Sequence, residues 1–233
     1  MVEISPDIVV FWRWGFVSIN ETIAFTWAVM ALLVVLAWLS TRRLAVEPPI
    51  SRRQNLLETI IGYMDNQIRE IAQTDQDRYL PFSGTLFLFI SAANLLDTVP
   101  GYRTPTSSIS TTAALAICVF FAVPIFGIAQ RGLRGYLKHY AEPSILMLPF
   151  HVIGEFSRTI ALAVRLFGNM MSETMMIAIL LTIAPLFLPV LLELLGLLIG
   201  QVQAYIFAVL ATVYIVSASS NDEKTHTESK GGI

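Results

Sequence analysis

Residues 161–171 read Ala161-Leu162-Ala163-Val164-Arg165-Leu166-Phe167-Gly168-Asn169-Met170-Met171, inside a run from Ile145 to Ala184 that otherwise reads as membrane. A guanidinium stays charged, because its pKa lies above about 12. Placing it in hydrocarbon costs at least about 2.5–3.5 kcal/mol. A chain accepts that cost where the charge faces a polar cavity, a partner carboxylate or a route for ions. The run is also about forty residues long, twice the roughly twenty that one upright helix needs. It must be strongly tilted, bent, or broken into two helices.

The rest of the chain agrees with lipid as the solvent. Of its 233 residues 55% are hydrophobic and 14% charged, against about 25% charged in a soluble domain; mean hydropathy is +0.66. The expected class is an all-α membrane protein with a single membrane domain over residues 1–220. A net charge of −2 carries no nucleic-acid footprint. The single Cys118 lies in an apolar run, cannot form an intrachain disulfide, and reads as a buried thiol. Met1 to Asp7 carries acids and no basic segment, which argues against a cleaved signal peptide. There is no phosphate-binding loop, no Cys/His cluster and no nucleophile elbow. No catalytic residue, nucleotide site, metal or cofactor is therefore expected on this chain.

Five crossings can be placed. The first, Thr22 to Leu39, follows the aromatic cluster Phe11-Trp12-Arg13-Trp14 and precedes Arg42-Arg43. Pro48 to Tyr79 differs: Leu56, Leu57, Ile60, Ile61, Met64, Ile68 and Ile71 recur every three or four residues among charges. That spacing predicts an amphipathic helix on the membrane surface or against a partner. Leu80 to Val99 is the second crossing, with a polar turn at Pro100 to Ser110. Thr111 to Ala129 is the third, and Pro124 should kink it. A basic loop with Arg131, Arg134 and Lys138 leads to the Ser144–Ala184 stretch. Pro185 and Pro189 bound a turn before a last helix from Val190 to Val216, so residues 144–218 form a long helical hairpin. Asn221 to Ile233 is polar and is expected to be a disordered tail.

Charge fixes an orientation. Of 15 Lys and Arg, six fall from Arg42 to Arg78, three from Arg131 to Lys138 and two in the tail. Five crossings put all three clusters on one side, the cytoplasm, with the N-terminus outside. No internal repeat is present, which disfavours an inverted-repeat transporter.

Four polar groups lie within the apolar stretches. Asn94 and Asp97 share a helix face near the outer end of the second crossing; they read as helix-end capping or as the lining of an aqueous vestibule. Glu155 and Arg158 can pair at i,i+3, and His151 nearby reads as a packing residue. Arg158 and Arg165 lie seven apart on nearly one face, with Asn169 a turn later. Glu173 is about 80° round from Arg165, so the two need not neutralise each other, although a structural pair is the plainer alternative. The last helix carries Glu193, Gln201, Gln203 and Tyr205. If it packs antiparallel to the Arg165 helix, Gln203 sits opposite the arginine and Glu193 nearer the outer face.

Three segments resemble, in order, subunit a of F-type rotary ATP synthases. They are Asn94-Leu95-Leu96-Asp97 with Pro100 and Pro105-Thr106-Ser107; Ser157 to Met170 with Arg165-Leu166-Phe167-Gly168-Asn169; and Gln203 to Leu210 followed by Val213-Tyr214-Ile215. The resemblance covers roughly Leu80 to Ile215. It implies a non-catalytic stator subunit beside a ring of c subunits, with peripheral-stalk b subunits as further partners, in a bacterial inner membrane. It implies that the arginine at 165 faces the carboxylate of each passing c subunit, that Gln203 sits near it, and that acids of the last two helices line a half-channel open to the outside. The ion-translocation set is then Arg165, Gln203, Glu193, Glu173, Asn169, Asn94 and Asp97, and the cargo protons, with sodium as the alternative.

Two positions depart from the family pattern. Where an acid or His is frequent in the Arg165 helix the chain has Thr174, with Glu173 one residue earlier. Seven residues before Gln203, where an acid or His is common, it has Gly196, with Glu193 three further back. These shifts put the carboxylate path in doubt and fit an alternate, sodium-linked branch. Two other readings of Arg165 remain open: the anion-binding residue of a stand-alone secondary transporter, and a charge used only for assembly.

Overall fold

The computed structural model describes residues 10–14, 17–42, 52–72, 76–99, 102, 104–141, 148–184 and 187–219. The expectations about the extreme N-terminus and the polar tail fall outside them. The aromatic cluster at 11–14 does not end a helix. It forms a strand, β1 (Val10–Trp14), paired antiparallel with β2 (Val17–Asn20) in the register Trp12↔Ile19, Arg13↔Ser18, Trp14↔Val17. Aromatic and β-branched residues favour such a ribbon.

Everything else described is helical apart from a 3₁₀ turn and short connections. The elements are α1 (Glu21–Thr41), α2 (Arg52–Ala72), α3 (Gln76–Leu96), the 3₁₀ turn Pro105–Ser107, α4 (Ile109–Ala141), α5 (Leu148–Ile183) and α6 (Leu188–Ser219). Five of them, all but α2, are long and apolar enough to cross a membrane. The chain is an integral membrane protein. The amphipathic helix α2 seats Met64 and Ile68 in the interior and lies against α3 and α6.

α4 departs from the sequence reading. The expected basic loop is helical, and α4 runs through Arg131 and Arg134 to Ala141. Pro124 lies within it, and the backbone leaves helical dihedrals at Gly132 (φ 71°, ψ 162°). Glycine reaches positive φ without the Cβ clash that other residues meet. The break lets Tyr136 return against Gly127, where an added Cβ would fall 2.7 Å from the ring. Hydropathy falls in this segment while helicity persists. Cys118 is exposed rather than buried, because α4 buries the stripe Ala116, Val119, Ala122 and Val123 and residue 118 lies off it.

α5 resolves the question of the forty-residue stretch. It is one continuous helix of 36 residues, about 54 Å long at 1.5 Å per residue. Against about 30 Å of hydrocarbon it must lie strongly tilted or project beyond it. α6, of 32 residues, completes the hairpin.

α6 is the centre of the bundle and touches α2, α3, α4 and α5. Its small residues Gly196, Gly200, Ala204 and Ala208 recur every fourth position and are all buried, which lets neighbouring backbones approach closely. Phe207 and Ala211 join Leu86 and Ile90 of α3, Ala116 and Val119 of α4, and Leu162 and Leu166 of α5 in one core. A second cluster near the other end combines Ile68, Tyr79, Val123 and Ile215.

A polar seam runs along α3 and α6. Asn94 Nδ2 donates to the Gly200 carbonyl at 2.9 Å. Ser91 and Gln201 exchange two bonds, one of them Gln201 Nε2 to the Ser91 carbonyl at 3.1 Å. The hydroxyls of Ser83 and Thr212 meet at 2.6 Å and those of Tyr79 and Ser219 at 2.8 Å. One partner ascends in number as the other descends, so the two helices are antiparallel in a single register. Such bonds are worth on average about 0.6 kcal/mol each within a bilayer.

Candidate functional site

The residues singled out from the sequence do not all come together. Asn94, Asp97, Glu173 and Glu193 line one small cavity between α3, α5 and α6, together with Thr98, Met170, Gly196 and Leu197. Its volume, about 10 Å³, is close to the room of a single water. A wider cavity of about 120 Å³ adjoins it, sharing Glu173 and Gly196 and adding Asn169, Ser172 and Ile199. Arg165 and Gln203 line neither.

The local chemistry of the first cavity is built by the turn after α3. Asn94 is buried; besides its bond to Gly200 it accepts the Thr106 hydroxyl at 3.0 Å. It therefore joins α3, α6 and the 3₁₀ turn. Thr104 donates to the Asp97 carboxylate. Tyr102, between the two crossings, packs edge-on against Phe25 at 5.0 Å. Burial pushes its phenol well above the ordinary value, and the Asp97 carboxylate adds to the rise. Among the described residues no three His, Cys, Asp or Glu side chains converge as a metal site.

Glu173 and Gly196 fit one another. A Cβ at residue 196 would lie 1.4 Å from Glu173 Oε1 and 2.0 Å from its carboxyl carbon. The carboxylate of α5 thus fills the space that a side chain of α6 would take. Glu173 and Gly196, which belong to the two departures noted in the sequence, meet in space. No reading of either helix alone shows this, since it needs the register between them.

Arg165 lies on the other flank of α5. That helix buries Leu162, Leu166 and Met170, one residue per turn. Ile153, Phe156, Ile160 and Val164 form an exposed apolar stripe, and Arg158 and Arg165 are exposed beside it. Arg158 is occupied: Nη1 lies 3.5 Å from Glu155 Oε1, and the guanidinium stands 5.4 Å over the Tyr214 ring. Arg165 makes no ion pair among the described residues. Gln203 is buried on α6, and its Nε2 has no hydrogen-bond partner among them.

An unpaired arginine midway along an apolar helix, with an acid-lined cavity further along the hairpin, can be compared with known proteins. The family described as ATP synthase A chain matches residues 23–216. The chain belongs to that family. It is 55% identical to ATP synthase subunit a 2 of Acaryochloris marina over 225 residues, covering 97% of this chain and 96% of that protein. It is 58% identical to ATP synthase subunit a 1 of Chlorobaculum parvum over 224 residues, 96% and 99% of the two chains. ATP synthase subunit a of Albidiferax ferrireducens is 55% identical over 218 residues, 94% of each. The family identified from three ordered motifs is the one these matches give.

Sequence reasoning missed three participants. Gly196 was noted for the side chain it lacks rather than for the space it leaves. Thr104 is one of several hydroxyl residues read together in the polar stretch Thr104 to Thr112, and nothing local distinguishes it from the others. Gln67 of α2, which accepts a hydrogen bond from the Tyr205 hydroxyl, carried no signal beyond its place on an amphipathic helix.

Proposed function

We propose that this chain is the stator subunit a of a rotary F-type ATP synthase. Arg165 couples ion movement to rotation of a neighbouring ring of c subunits. The observation that carries this reading is the state of Arg165: exposed, without a carboxylate partner among the described residues, and flanked by an exposed apolar stripe. A charge so placed in lipid needs a counter-charge from another subunit. An opposite charge within about 4–6 Å favours the ionised form of a carboxylate, so each ring carboxylate reaching Arg165 gives up its ion there. A fixed cation between two half-channels also repels ions that would leak straight through. Each charge crossing 100 mV carries about 2.3 kcal/mol, so such a leak dissipates the driving force.

The cavity lined by Asp97, Glu173 and Glu193 supplies the outer half-channel in this scheme. Three carboxylates around one water-sized space repel one another, and a cation entering it relieves that repulsion. Asn169 and the adjoining cavity continue the path along α5 towards Arg165, and Gln203 attends the arginine. The positive-side bias of the loops supports an outside N-terminus, a cytoplasmic C-terminus and a bacterial inner membrane. Peripheral-stalk b subunits complete the stator. Protons are the cargo, and sodium the alternative.

The test is the assembled complex in sealed vesicles. Arg165→Ala is expected to abolish ATP-driven ion uptake while c subunits still co-purify with this chain. Coupled transport at the wild-type rate in that variant overturns the reading. Running the wild type with and without sodium, and with a protonophore, identifies the ion.

A further inference from the structure

The proposed function leaves α2 without a task, yet α2 is tied to α6 close to Gln203. Tyr205 donates its hydroxyl to Gln67 Oε1, and the ring of Tyr63, one turn earlier on α2, lies 6.2 Å from the Tyr205 ring. Met64 and Ile68 beside them are buried, so the tie belongs to a packed helix contact. Tyr205 is two residues beyond Gln203, about 3 Å of rise and about 200° of rotation. α2 therefore grips the flank of α6 turned away from Gln203.

Gln203 is in an unusual position. It is buried, and its Nε2 makes no hydrogen bond among the described residues. A buried amide normally finds partners within the chain, and leaving one unmet is costly. Without that bond its place depends on the backbone that carries it. On the α3 side this backbone is held just before Gln203, by Asn94 at Gly200 and by Ser91 at Gln201. The next tie to α3 comes only at Thr212. Between these points, among the described residues, α6 is held by the Tyr205 hydroxyl, which bonds Gln67 and also interacts with Tyr63.

We propose that Gln67, acting through Tyr205, is a positioning residue for Gln203, so that the amphipathic helix sets how the α6 amide is presented beside Arg165. The inference rests on the role given to Gln203 above. Gln67 touches neither ion nor ring; it limits rotation of α6 about the point where Gln203 projects.

The experiment uses the whole complex in vesicles and reads the ion concentration at half-maximal ATP-driven uptake. The variants are Tyr205→Phe, Gln67→Leu and Gln67→Glu, each made with and without Gln203→Leu. Tyr205→Phe keeps the ring and removes only the hydroxyl, so it preserves packing more closely than Gln67→Leu does. Tyr205→Phe and Gln67→Leu are expected to shift the half-maximal concentration by about fivefold, the scale of one hydrogen bond, with c-subunit recovery unchanged. Gln67→Glu retains an acceptor and is expected to restore the wild-type midpoint. In the Gln203→Leu background none of the three should shift it further. A wild-type midpoint in Tyr205→Phe, or shifts that add to that of Gln203→Leu, overturns the proposal. If Gln203→Leu and Arg165→Ala both transport normally, it is the underlying function that fails.

Discussion

α5 and α6 form the two arms of one hairpin, are similar in length and are both apolar, yet they are built for opposite purposes. A much larger share of α6 than of α5 is buried within the chain. α6 is bound to α3 by four polar ties and carries small residues on its packed face. α5 fully buries Leu162, Leu166 and Met170 among its described residues, and presents a broad apolar face, with Arg165 beside it, outwards. α6 is the fixed reference of the bundle, and in the function proposed above α5 is the working face that another subunit covers.

Substitutions can break that division or sharpen it. The largest effect should come from the working face: Arg165→Lys is expected to lower coupled ATP synthesis to below about 1% of wild type, roughly 2.7 kcal/mol, because a desolvated lysine can lose its proton where arginine does not. Synthesis assays on inverted vesicles measure it. Next is the contact between the arms. Gly196→Ala forces Glu173 out of its place and should reduce ion uptake on the order of tenfold, about 1.4 kcal/mol. In a Glu173→Ala background the same change should cost nothing further, and equal losses in both backgrounds would mean that the two residues do not compete for space. On the reference arm, Asn94→Ala removes bonds to Gly200 and Thr106 and should lower stability by about 1–3 kcal/mol, read as a fall in the thermal midpoint of the detergent-solubilised protein. Smallest is the seam itself. A double-mutant cycle of Ser83→Ala with Thr212→Val should give a coupling energy near 0.6 kcal/mol; a cycle that closes at zero would make that hydroxyl pair incidental.

Much of this was legible in the sequence because lipid imposes a strong rule. Thr22–Leu39 is the expected first crossing and also the part of α1 long and apolar enough to cross, since apolar length alone decides it. Arg165 stood out for the same reason, as an exception to that rule. Where the rule stops, reading fails. The end of α4 lies beyond the hydrocarbon length, so its basic residues suggested a loop while local helix propensity persisted to Ala141. The β1–β2 ribbon was hidden because Trp and Phe suit a membrane interface and a strand equally well. Asn94 posed a choice between capping and vestibule lining; it caps no helix end through its Gly200 bond but ties α3 to the middle of α6, and it lines the small cavity. Such contacts depend on the register of helices distant in sequence, which no local pattern encodes.

That distance has a consequence for synthesis. The residues paired along the α3–α6 seam are separated by 106 to 140 positions. At about 5–20 residues per second, α3 is complete several seconds to nearly half a minute before its partners on α6 exist. During that interval Tyr79, Ser83, Ser91 and Asn94 have none of their final hydrogen-bond partners on α6, and a bare polar group in hydrocarbon is costly. The nascent chain must therefore keep α3 at the protein-lined or hydrated edge of the insertion machinery until its last helix is made. A chain stopped before α6 should be recognised as unfinished by the polar face it leaves uncovered.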